Sequence, residues 1–143
     1  MKKYFSIFTL FYFLSACLTP DIASNSPYCS QVLDSIQKTW KFDDTLGYYT
    51  ANYKWLVELN NRGNETTTCF IGKDTAYITK IFGRKYEFRN SRKYFPFVII
   101  YPLSKPCSGH GKDYHCSSLQ FFFDSSQVVK RIIFEEWMAG EFH

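Results

Sequence analysis

The sequence predicts an α+β protein: two helices packed on a three-stranded antiparallel β-meander, preceded by a cleaved signal peptide. Three observations lead there. Apolar residues recur at helical spacing in 26–40 and again in 74–83, each run flanked by capping residues. Residues 94–101, 117–124 and 128–134 are dense in aromatic and β-branched side chains and are separated by turn formers. An apolar run at the N-terminus stops on a lone cysteine, Cys17, and the chain then turns polar.

The N-terminus has the layout of an export signal. Lys2 and Lys3 supply a positive start, and residues 4–14 form an apolar stretch. That stretch is far shorter than the ~20 residues a bilayer-spanning helix needs. Leu14-Ser15-Ala16-Cys17 resembles the bacterial lipobox, which implies a diacylglycerol on the Cys17 thiol and cleavage just before it. Residues 1–16 are then a lipoprotein signal peptide, 17–26 a lipidated N-terminus and flexible tether, and 27–143 a single domain. Acyl chains bury about 0.8 kcal/mol per CH2, so two or more hold a small domain on a membrane.

The chain has five cysteines. Setting Cys17 aside leaves Cys29, Cys69, Cys107 and Cys116, an even set in an exported chain, which reads as two disulfides. Three pairings are open. Closure of a short loop favours Cys107–Cys116, leaving Cys29–Cys69.

Each element has local reasons. Ser26 is a good N-cap and Pro27 suits the first turn, after which Cys29, Val32, Leu33, Ile36 and Trp40 line one helical face. Asp43, Asp44 and Gly47 mark a break. Tyr48, Tyr49, Trp55, Leu56 and Leu59 then form either another helical face or an irregular aromatic layer, and 60–65 is a loop. Asp74 or Thr75 caps a short helix whose apolar face is Ala76, Ile78, Ile81 and Phe82, with Gly83 as its stop. In the strand 94–101, Pro96 argues for an edge position or a late start to pairing. Leu119, Phe121 and Phe123 share one face of 117–124, Asp124 to Gln127 make a turn, and Val128, Ile132 and Phe134 share a face of the last strand.

Several chemistries are excluded or set aside by pattern. The formal charge of +4 includes Lys2 and Lys3, which leave with the signal, so the mature domain is too weakly basic for nucleic acid. Cys107, His110, His115 and Cys116 offer zinc-type donors, but the adjacent pair 115–116 diverges in a strand and the spacing matches no finger or ribbon. A disulfide loop accounts for the segment better than a metal or a Cys–His nucleophile. Glu135-Glu136 reads as a solvated strand end and Asp43-Asp44 as a cap or turn. No catalytic residue, metal or cofactor is expected, and the protein reads as a binder rather than an enzyme. The basic stretch Arg84, Lys85, Arg89, Arg92 and Lys93, interleaved with Tyr86, Phe88 and Tyr94, is either a charged strand edge or a contact for anionic headgroups or a partner.

Ile71-Gly72-Lys73-Asp74-Thr75, followed by Ile78 and Ile81-Phe82-Gly83, resembles the helix signature of the SmpA/OmlA family of small outer-membrane lipoproteins. Leu119 to Asp124 with Gln127-Val128-Val129 resembles that family's β-hairpin. The similarity covers roughly residues 69–134 plus the lipobox, and Lys85 stands where the family has proline. It implies two helices on a three-stranded sheet and a role as a scaffold or accessory protein in outer-membrane assembly or integrity. An inhibitor or ligand-binding lipoprotein on the same fold is the alternative. The expected partners are the membrane, through the N-terminal lipid, and another envelope protein. Leu18 after the anchor is not acidic, which favours the outer membrane over the inner one.

Overall fold

A computed structural model describes residues 26–51, 53–59, 61, 65–90, 95–105 and 116–136. The signal peptide and tether lie outside them. The described chain is α+β, with four helices and two antiparallel sheets.

Helix α1 (Pro27–Thr39) starts as its sequence dictates: the Ser26 hydroxyl accepts from the Cys29 N–H, and Cys29, Val32 and Ile36 are buried. The break at 43–47 is a hairpin turn joining β1 (Lys41–Asp43) to β2 (Tyr48–Thr50). Asp43 Oδ1 accepts from the Thr45 and Leu46 N–H groups, and Gly47 takes a φ of 78° to close the turn. Tyr49 therefore belongs to a strand, while Trp55, Leu56 and Leu59 are buried residues of α2 (Tyr53–Leu59). A single turn, α3 (Glu65–Thr68), begins at the last residue of the stretch 60–65 read as loop. Helix α4 (Thr75–Phe82) is capped by Asp74, whose carboxylate accepts from the Tyr77 N–H, and ends at Gly83. Its buried residues are Ile78 and Phe82, with Ile81 partly buried; Ala76, expected on that face, is exposed because a step of two residues from Ile78 turns it about 200° around the helix, to the opposite side.

The main sheet runs β3 (Glu87–Arg89), β4 (Phe97–Pro102), β5 (Ser117–Phe123), β6 (Val129–Glu136), each antiparallel to its neighbour. The expected three-stranded meander is thus a four-stranded sheet, and the expected pair of helices is four. The additional strand comes from the basic stretch, where Glu87, Phe88 and Arg89 pair with Ile100, Ile99 and Val98. Phe88 stacks on Phe97, and Phe97 on Phe123, with centroids 5.6 and 5.0 Å apart, an aromatic ladder that holds this short edge strand on the sheet. β4 starts at Phe97, just after Pro96, which has no N–H to give a ladder.

The last strand corrects a second expectation. Phe122 faces Arg131 but Phe123 faces Val129, so Lys130 is an extra residue in a β-bulge. The bulge reverses the alternation before it. Val129, not Val128, joins Ile132 and Phe134 in the core, and Val129 is wholly buried. The 124–128 turn that delivers the chain there is held by Asp124 Oδ1, which accepts from the Ser126 and Val128 N–H groups. Val128 above all, helped by Lys130, holds that carboxyl below its ordinary range.

α1 packs on α3 and α4, and α2 on α3 and β6. Together with β2 they cover one sheet face, which contributes Ile99, Tyr101, Leu119, Phe121, Phe123, Ile132 and Phe134 to the core. At the centre, Trp40 stacks on Tyr49 at 4.7 Å and meets Phe82 edge-on at 5.0 Å. Gly83 has a φ of 88° and a ψ of −178°, a backbone conformation that is essentially glycine's alone. A Cβ there would also sit 3.0 Å from the Tyr49 hydroxyl.

Candidate functional site

The expected site residues divide between those the structure describes and those it does not. Cys17, Cys107, Arg92 and Lys93 lie outside the described residues. Cys29 and Cys69 form a disulfide, both residues about 1% exposed, linking α1 to the turn between α3 and α4. Cys116 is disulfide-bonded as well; its expected partner is Cys107. Among the described residues, no group of three His, Cys, Asp or Glu side chains is placed to hold a metal ion.

The described residues of the basic stretch are Arg84, Lys85 and Arg89. Lys85 reaches the turn between β1 and β2, pairing with Asp44 at 3.5 Å and lying 5.4 Å from the centre of the Phe42 ring. Arg89 pairs with Glu87 at 3.1 Å within β3, and Arg84 is exposed. Exposed ion pairs of this kind contribute about 0–1 kcal/mol. Their effect here is to place charges along the sheet's edge, where an unpaired strand otherwise invites association.

The sheet face away from the helices carries Val98, Ile100 and Phe122, bordered by polar groups. Arg131 sits over the Phe122 ring, and Phe95 meets that ring edge-on at 5.4 Å. Gln120 Nε2 donates to Ser118 Oγ and to Glu135 Oε2. Glu135, read from sequence as a solvated end residue, is therefore half-buried and held across two strands.

Among the described residues, a concave feature lies between α1 and α2. A cleft of about 190 Å³ is lined by Tyr28, Gln31, Val32 and Ser35 of α1 and by Lys54, Trp55 and Glu58 of α2. The α1 residues follow i, i+3, i+4, i+7 spacing, which puts them on one stripe. Tyr28 donates its hydroxyl proton to Glu58 Oε2 at 2.8 Å. That proton is then spent, so the very short contact between Tyr28 and the Thr66 hydroxyl has threonine as donor. Burial pushes the Tyr28 phenol above its ordinary pKa; the Thr66 bond opposes this and Glu58 adds to it. The phenol is thus a neutral donor that fixes one carboxylate oxygen of Glu58. Trp55 is about 4% exposed, and its indole nitrogen is buried with no hydrogen-bond partner among the described residues.

Sequence reading did not single out Tyr28, Trp55, Glu58 or Thr66 as a group. The stripe on α1 was the available signal, but its facing wall comes from a helix some 25 positions onward whose pairing no local pattern encodes. Among the described residues no helix is long and apolar enough to cross a membrane. Compared with known proteins, the chain matches no family model, no curated protein and no solved structure.

Proposed function

We propose that this protein is a lipid-anchored domain of the bacterial envelope that acts by binding rather than by catalysis. The observation that carries the reading is Leu14-Ser15-Ala16-Cys17 at the end of a short apolar run behind two lysines. The disulfide between Cys29 and Cys69 supports it, because such bonds persist in oxidising compartments outside the cytosol. Helices on one face of an antiparallel sheet, with a capped helix at 75–82 and a hairpin at 117–136, support the similarity to the SmpA/OmlA lipoproteins. In that reading the domain is a scaffold or accessory protein in outer-membrane assembly or integrity, and its partner is another envelope protein. The cleft between α1 and α2 favours a second reading, a ligand-binding lipoprotein.

Mass spectrometry of the native protein tests the anchor. The expected N-terminal peptide starts at Cys17 and carries acyl mass, and the protein leaves membranes only with detergent. A native chain that starts elsewhere, or has a bare thiol at Cys17, would refute the proposal. Co-purification of an envelope protein after mild solubilisation separates the scaffold reading from the ligand-binding one.

A further inference from the structure

We infer that the open edge of the core beside β3 docks on a lipid bilayer, with its exposed aromatic and aliphatic side chains in the headgroup boundary. The inference rests on the lipid-anchored reading of the domain and adds which side of it faces the membrane.

Of the large apolar side chains exposed among the described residues, Phe88 (57%), Leu46 (40%) and Tyr86 (36%) gather around one gap in the core. Tyr86 meets Tyr101 at 5.8 Å and Phe88 stacks on Phe97, and both partners belong to the helix-covered face of β4. Among the described residues β3 ends the sheet, so these two rings emerge at its border. The β1–β2 hairpin forms the other side of the gap: Phe42 meets Tyr49, and Tyr49 meets Tyr101. Lys85 links the two sides, pairing with Asp44 in the turn that carries Leu46 and lying over the Phe42 ring. Asp44 on Lys85 and Glu87 on Arg89 offset much of the local charge, so the rings lead the contact. Rings of this kind settle at the headgroup level of a bilayer, with lysine and arginine stems lying along apolar surface and their charged ends in water.

The length of chain between anchor and domain favours a bilayer as the occupant. Residues 17–26 join Cys17 to α1 and span at most about 35 Å. Helix α1 is about 20 Å long, and β1 follows directly from its far end. A bilayer that holds Cys17 is therefore within reach of the hairpin and of β3. Tethering also makes docking an intramolecular step, with an effective concentration of about millimolar. A shallow contact too weak to capture a free domain then suffices to orient an anchored one.

The test is photocrosslinking of the full acylated chain in vesicles of zwitterionic phosphatidylcholine, with p-benzoylphenylalanine replacing Phe88, Leu46 or Val57 in turn. Val57 is the control: it is 51% exposed, but it lies on α2, which packs on β6 at the opposite end of the sheet. Mass spectrometry counts the phospholipid adducts. The Phe88 and Leu46 sites are expected to yield about tenfold more lipid adduct than the Val57 site, since docking holds one side of the domain on the bilayer. Leu46→Asp should lower the adduct at the Phe88 site by about tenfold, because a carboxylate resists leaving water, and added salt should leave that adduct unchanged. Equal lipid adducts at the Phe88 and Val57 sites would overturn the inference, as would a Leu46→Asp chain that still gives the full adduct. So would a protein adduct in place of lipid at the Phe88 site in native membranes, which would assign this edge to a protein partner. A chain acylated at Cys17 and bound to vesicles, yet without lipid adduct at the Phe88 site, would sink the docking and leave the anchor standing. A bare Cys17 thiol would sink both.

Discussion

The indole nitrogen of Trp40, the residue that ends α1, donates to the carbonyl of Phe82, the last residue of α4, at 2.9 Å. Two helices whose ends lie 42 positions apart in sequence are thus joined through a free helix-terminal carbonyl, a group that has no partner within its own helix. The Tyr101 hydroxyl donates to the next carbonyl, that of Gly83, at 3.0 Å, so the sheet closes the same helix end.

Replacing Trp40 with Phe keeps the ring packing against Tyr49 and Phe82 but leaves the Phe82 carbonyl buried without its donor. The expected loss is about 1–3 kcal/mol of unfolding free energy. Urea titration checks it: the midpoint should fall while the slope stays unchanged, since the surface exposed on unfolding is nearly the same.

Cys29 and Cys69 enclose a loop of sequence separation 40. Releasing it restores disorder to the unfolded chain, so the double substitution Cys29→Ala, Cys69→Ala should cost about 2–4 kcal/mol. Thermal unfolding followed by circular dichroism reads the change. An unchanged melting temperature would show that the packing of α1 on α3 and α4 is sufficient by itself.

High pH should attack the core through Tyr101. Burial, reinforced by the neighbouring Tyr49 and Tyr86, raises this phenol far above its ordinary value near 10. A group whose folded pKa is raised contributes stability that is complete below its unfolded pKa and is lost as pH climbs toward the folded one. Above pH ~10 the unfolded chain alone releases this proton, and stability should fall by about 1.4 kcal/mol per pH unit for this residue. Urea midpoints measured across that range should drop less steeply in Tyr101→Phe than in the parent protein.

What the sequence determined by itself was whatever rests on neighbouring residues. Ser26 with Pro27 and Asp74 with Gly83 delimit two helices because capping is satisfied within one turn. Leu119, Phe121 and Phe123 alternate inward because a strand's side chains reverse at every residue. Only the tertiary structure decided the rest. The bulge at Lys130 moves Val129 into the core, a consequence of matching β6 to β5 that no alternation within β6 reveals. Glu87 to Arg89 became a strand through Phe97 and Ile99 on its neighbour, against a charged composition that reads as a connection. The cleft exists because the folded chain sets α1 beside α2, where Tyr28 bonds to Glu58 30 positions onward. Such contacts join residues distant along the chain, and their energies depend on which surfaces are desolvated together, a property of the folded whole rather than of any segment.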